Sequence, residues 1–181
     1  EPRTTGKGAG QIRLESRLGF YIYSDEILTA LNNVIKKIIN VNNRYLRKDS
    51  RIDIHVIASL AGGTGSGCFL PTAYLAREAA DAVGLDGPTL HGHFITSKCL
   101  ANVQRKLTDY INANTYAALK ELEELTKLNT DESKSAEFVY RHPHYSGEPI
   151  TKVVQAPFDW ISLADDPAAT AIDRKTVERT L

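Results

Sequence analysis

Six consecutive positions, Gly62 to Gly67, hold four glycines, a threonine and a serine. They lie between an apolar run, Ile52 to Leu60, and a segment with Phe69, Leu70, Ala73, Ala76, Ala79, Ala80 and Val83 at helical spacing. Glycine disfavours helix and strand interiors, so the run predicts a turn. Pro71 suits only the first turn of a helix, so the helix is expected to start just after the glycines. Strand, turn and helix in this order form the unit from which parallel sheets are wound. Glycines without Cβ also let backbone approach a ligand. A helix N-terminus adds free N–H groups and partial positive charge. Together they make an anion site suited to phosphate. Thr64 and Ser66 are expected to add hydroxyl donors, and a bulky side chain at Gly63 or Gly65 to block the approach.

Spacing separates this run from better-known turns. A phosphate-binding Walker loop fits Gly62 and Gly67 but has Cys68 where lysine is required. The dinucleotide pattern fits Gly63 and Gly65 and again fails at Cys68. A nucleophile elbow fails because Thr64 and Cys68 flank Ser66 at the glycine positions. A ligand-free turn is the bland alternative, but ligands of open α/β sheets bind at the carboxyl ends of the strands.

The remaining segments fit the same class. Glu1 to Arg17 reads as a loop. Ser24 is a candidate N-cap for a helix carrying Ile27, Leu28, Leu31, Val34, Ile35, Ile38 and Ile39 on one face. Leu90 to Thr96 reads as a strand, Leu100 to about Leu128 as one long or interrupted helix, and 129–149 as an exposed insertion. Ile150 to Gln155 and Asp159 to Ala164 are short strand candidates, and Ala168 to Leu181 is helix-compatible. Gly84 is placed as a helix stop. Alternating helices and strands imply an α/β fold around a mostly parallel sheet.

The chain's 181 residues suit one domain, 1–181, with a core of its own. Its 22 basic and 22 acidic residues exclude the basic profile of a general nucleic-acid binder. No apolar run reaches the roughly 20 residues of a membrane span. Two cysteines form no disulfide framework, so a cytoplasmic setting is expected. The chain has no methionine and opens on Glu1-Pro2, so it is expected to be a piece of a longer protein.

Ala61-Gly62-Gly63-Thr64-Gly65-Ser66-Gly67 resembles the signature loop of tubulin and the bacterial division protein FtsZ. Gly8-Ala9-Gly10, followed by Arg17, resembles their loop toward the terminal phosphate. Arg105 matches an arginine that follows the next strand. Ala101 stands at the family's ribose-contacting glutamate, where Asn102 is the substitute. Asp165-Asp166 fall where base contacts are made. The chain is most similar to divergent bacterial tubulin-like proteins. The resemblance implies an incomplete Rossmann-like domain of three layers, a mostly parallel sheet with helices on both faces. It implies GTP or GDP held by Ala61 to Gly67, with Gly8, Ala9, Gly10, Asn102 and Arg105 as further contacts. It also implies Mg²⁺ beside the phosphates, self-association into protofilaments and a hydrolytic site completed by a neighbouring subunit. The alternative is a structural or adaptor relative that does not hydrolyse and uses 129–149 for a partner.

Weaker signals carry bland readings. Gly6 to Gly10 is either a flexible terminus or a phosphate-facing loop. Arg13 and Arg17 are phosphate-binding candidates or surface charges. His91 and His93 share a strand face, and His142 and His144 flank a proline, without evident metal partners. Cys68 reads as a small packing residue, and Glu121, Glu123 and Glu124 as a solvated face.

Overall fold

The computed structural model describes residues 11–42, 52–84, 87–100, 105–130, 135–142 and 150–165. Along the chain run α1 (Arg13–Ile22), α2 (Ser24–Asn42), β1 (Asp53–Ser59), α3 (Gly63–Ala82) and β2 (Thr89–Ile95). A short 3-10 turn (Ser97–Leu100) precedes α4 (Arg105–Thr126), and β3 (Ala136–Arg141), β4 (Ile150–Val153) and β5 (Trp160–Ala164) follow. The sheet has the order β1-β2-β5, all parallel, with Val56 opposite Gly92 and Phe94 opposite Leu163. β3 and β4 form a separate antiparallel pair. The α/β class expected from the sequence is the class observed.

Both crossovers, β1 to β2 through α3 and β2 to β5 through α4, step in the same direction across the sheet. Right-handed crossovers then place α3 and α4 on one face. Val56, Leu90, Phe94, Phe69, Ala118, Leu122 and Leu125 pack into one core there. α2 packs on the far side of α3 through Leu28, Ile35, Leu75 and Ala79. α3 is therefore the central element, enclosed along most of its length. The other sheet face carries Asp53, His55, Ile57, His91, His93 and Trp160. Ile57 and Trp160 are 75% and 67% exposed, so the described helices cover one of the two faces. No helix among the described residues is long and apolar enough to cross a membrane.

Three local expectations change. Arg13–Ile22, whose first residues fell in the expected loop, is helix α1. Its N-cap is Ile12 with no side-chain cap, so the usual start signal is missing. Ser24 is the first residue of α2 and not the residue before it, and its hydroxyl accepts the backbone N–H of His142 at 2.9 Å. Within 129–149, β3 alternates exposed and half-buried side chains. Phe138 and Tyr140 pack on Tyr74 of α3 at ring distances of 5.5 and 5.3 Å.

Candidate functional site

β1 delivers the chain into Leu60 and Ala61, both fully buried. Gly62 caps α3 with extended backbone, φ −89° and ψ 159°. The helix starts at Gly63, inside the glycine run and not after it. The N–H groups of Gly63, Thr64 and Gly65 have no intrahelical acceptor by position. The ladder begins with Ser66 N–H donating to Gly62 O at 3.2 Å. Ser66 is fully buried, and its hydroxyl donates to the same oxygen at 2.6 Å. That hydroxyl is turned into the helix, which corrects the expectation of two hydroxyl donors; exposed Thr64 offers the other.

The glycines divide by what surrounds them. A Cβ on Gly63 would stand 2.7 Å from the Ile12 nitrogen, and one on Gly67 would stand 2.5 Å from the Arg13 carbonyl oxygen. A Cβ on Gly65 would strike the Ser59 carbonyl. These three are glycines because α1, its leading residues and β1 press on the helix start. Among the described residues nothing stands within 4 Å of a Cβ on Gly62. Its missing side chain leaves the mouth of the turn clear of the described residues, next to the free N–H groups.

α4 holds the turn from behind. Asn114, nearly buried, donates from Nδ2 to Gln11 O at 2.9 Å and to Ala61 O at 3.3 Å. Gln11, the residue after Gly10, has φ 70°, a left-handed conformation unusual for a side-chain-bearing residue. Glu121 receives both arginines of α1: Arg13 at 2.8 and 3.1 Å, Arg17 at 2.7 and 3.2 Å. Burial pushes the Glu121 carboxyl up, but the Arg17 and Arg13 hydrogen bonds and charges bring it below its ordinary value. The solvated face expected of Glu121, Glu123 and Glu124 holds for the last two, which pair with Lys120 and Lys127 in solvent. Glu121 is half-buried because it answers two cations.

Pro71 lies well inside α3, contrary to the expectation of a first-turn proline. Its missing N–H leaves Gly67 O without the normal donor. Arg17 Nε supplies one at 3.3 Å, and Arg13 Nη2 donates to Ser66 O at 3.0 Å. The Arg17 guanidinium also lies over the Phe138 ring at 5.2 Å.

The carboxyl ends of the three parallel strands meet beside the turn. Leu60 N–H donates to Ile95 O at 2.9 Å, and Thr96 N–H to Ala164 O at 3.0 Å. Asp165 accepts the Thr96 hydroxyl and, at 2.5 Å, the Lys98 ammonium. Lys98 and then Thr96 hold its carboxyl below the usual range. Ala61 to Gly67, Thr96, Lys98 and Asp165 thus share one edge. Gly8, Ala9, Gly10 and Asn102 lie outside the described residues. Arg105 opens α4, with its side chain outside them too. The residues the sequence reading missed are Asn114, Thr96 and Lys98. Asn114 and Glu121, seven apart, share the α4 stripe of buried Ile111, Ala118 and Leu125, and that spacing was the available signal.

The remaining candidates within the described residues resolve into packing, and His144 and Asp166 lie outside them. His55 Nδ1 and His93 Nε2 share a hydrogen bond at 3.0 Å on the open face. Among the described residues no group of three or more His, Cys, Asp or Glu is arranged to hold a metal. Burial raises the Cys68 thiol against the pull of Arg17, so it is no activated nucleophile.

Comparison with curated proteins and with solved structures gives no match. A family sequence profile described as "Tubulin like" matches residues 1–179, nearly the whole chain. With a parallel sheet and a glycine turn leading into a helix at its carboxyl edge, the chain belongs to this tubulin-like family.

Proposed function

We propose that the chain binds GTP and GDP, with the phosphates against the turn from Gly62 to Gly65. The supporting observation is the space that the described residues leave open at Gly62, beside three N–H groups without intrahelical acceptors. Thr64, exposed on the same turn, adds a hydroxyl. Gly8 to Gly10, just ahead of Gln11, would approach the terminal phosphate, and Asn102 and Arg105 the sugar side. Guanine comes from the family alone. Mg²⁺ usually keeps several waters and binds through substrate phosphates. That habit fits a turn that offers one exposed hydroxyl, Thr64, since both Asp165 oxygens are already engaged by Thr96 and Lys98. Mg²⁺ would supply charge neutralisation at the phosphates.

In the whole protein, hydrolysis would be attack by water on the terminal phosphoryl group, helped by positioning and charge. It would accompany assembly into protofilaments in the cytoplasm, with a neighbouring subunit completing the site. The alternative is a non-hydrolysing structural or adaptor relative that uses 129–149 for a partner; of that segment, β3 packs against α3 and much of the rest lies outside the described residues.

Gly62→Val tests the reading more cleanly than substitutions at Gly63 or Gly65, which would strike the protein's own backbone. The extended φ and ψ of Gly62 suit valine, so the fold should persist. GTP affinity in the full-length protein should fall at least about tenfold, the worth of one charge-assisted hydrogen bond. Unchanged affinity would overturn the assignment. Light scattering on GTP addition tests the second half: assembly that ignores nucleotide would support the structural relative instead.

A further inference from the structure

We infer that Glu121 is a positioning residue for the phosphate turn, acting through Arg13 and Arg17. The inference rests on the phosphate reading of Gly62 to Gly65 given above. Pro71 deprives Gly67 O of its helical donor, a defect in the second turn of α3. Arg17 repairs it from outside the helix, and Arg13 adds a donor to Ser66 O one residue earlier. An arginine side chain holds such a pose only when its other N–H groups are also fixed. Glu121 fixes both guanidinium groups at once, with four contacts between 2.7 and 3.2 Å. The backbone of α1 is drawn so close that Gly67 has no room for a Cβ, and Gln11 and Ile12, which lead into α1, leave none at Gly63. One carboxylate on α4 therefore locks α1 against the first two turns of α3. Those turns contain the free N–H groups proposed to meet phosphate.

Charge and geometry make opposite predictions here. Two guanidinium cations against one carboxylate leave one net positive charge beside the turn. Glu121→Gln would raise it to two, and a purely electrostatic role would make phosphate bind more tightly. A positioning role makes it bind more weakly, because the turn loses its support. The sign of the change separates the two.

The experiment compares wild type, Glu121→Gln and Arg17→Lys in the full-length protein. Arg17→Lys keeps the charge but loses the fork that reaches a carbonyl and a carboxylate together. It carries the test if Glu121→Gln does not fold. GDP and guanosine are titrated, and amide hydrogen exchange is followed over 63–70. Each variant is expected to lose about tenfold in GDP affinity while guanosine binding stays within about twofold. Exchange over 63–70 should accelerate about tenfold, with the β1–β2 amides unchanged. GDP binding that is unchanged or tighter would overturn the inference, as would unaltered exchange over 63–70. If wild type binds no GDP, the phosphate reading falls, and hydrogen exchange alone still decides whether Glu121 supports the turn.

Discussion

At the scale of single residues, glycine has two uses within the same short run. Gly65 and Gly67 remove a Cβ that would meet protein backbone, while Gly62 removes one that would meet nothing among the described residues. Gly65→Ala should therefore cost about 2–4 kcal/mol, since α3 must move away from the end of β1. Gly62→Ala should stay within about 0.5 kcal/mol. Urea unfolding measures both, and equal losses would show that the two glycines do not differ in role. The run was visible in the sequence, but this division was not. It depends on α1 lying across the helix start, and nothing in the chain near Gly67 announces that. Glu121 was hidden for a similar reason, because Glu121, Glu123 and Glu124 look alike until the arginines of α1 are placed. Its carboxyl titrates below its ordinary value, so its stabilising contribution is complete above about pH 4.5 and is lost as pH falls through the folded value. The loss should be about 1 kcal/mol after screening, because the side chain is about a third exposed. Glu121→Gln should flatten this acid limb in denaturation at pH 3 to 7. An acid limb of the same depth in the variant would place the titration elsewhere.

At the scale of elements, the strands and helices with clear apolar periodicity were legible. β1, β2 and α2 come within a few residues of their expected limits, and α3 ends near Gly84 as expected but starts five residues early, at Gly63. Two elements were not. α1 has no capping side chain to mark its start, although its helical periodicity is as marked as that of α2. β3 lies in a polar stretch whose buried face emerges only when Phe138 and Tyr140 meet Tyr74. The β3–β4 pair acts as a strap over the helices. Arg141 pairs with Asp25 of α2 at 3.1 Å and with Glu78 of α3, and His142 N–H reaches Ser24. Burial pushes the Glu78 carboxyl up, and Arg141 only partly offsets it. Removing Arg141 would leave Glu78 half-buried beside Asp25 and Asp81, which also raise its carboxyl. Arg141→Ala should then lower stability by about 1–2 kcal/mol. The loss should shrink as pH falls, because a carboxyl whose folded value is raised takes up its proton early. Thermal unfolding at pH 5 and pH 7 checks this; a loss that is the same at both values would mean that packing, not charge, holds the strap.

At the scale of the molecule, the two sheet faces and the two strand ends divide the work. The face of Val56, Leu90 and Phe94 is core. The carboxyl edge gathers the glycine turn, Thr96, Lys98 and Asp165. The second face presents Ile57, a line of stacked imidazoles and Trp160, with His55 and His91 rings 4.7 Å apart. A parallel sheet is ordinarily covered on both sides, and the sequence reading expected helices on both. That expectation came from the resemblance and from the first strand, Ile52 to Leu60, which turns apolar throughout like an interior strand of a covered sheet. On β1 the residues facing this side are Asp53, His55 and Ile57, a mixed face. Trp160 is the chain's single tryptophan and opens β5, at the opposite end from Asp165. It therefore reports on this face without reporting on the turn. In the 181-residue chain its fluorescence should be that of an indole in water and should be quenched freely by acrylamide, because the residue is 67% exposed. GDP should leave the spectrum unmoved, since the proposed phosphate site lies across the sheet at the carboxyl edge. A blue-shifted, poorly quenched tryptophan would show the second face to be covered. A shift on adding GDP would couple that face to the turn, against the separation of edge and face described above.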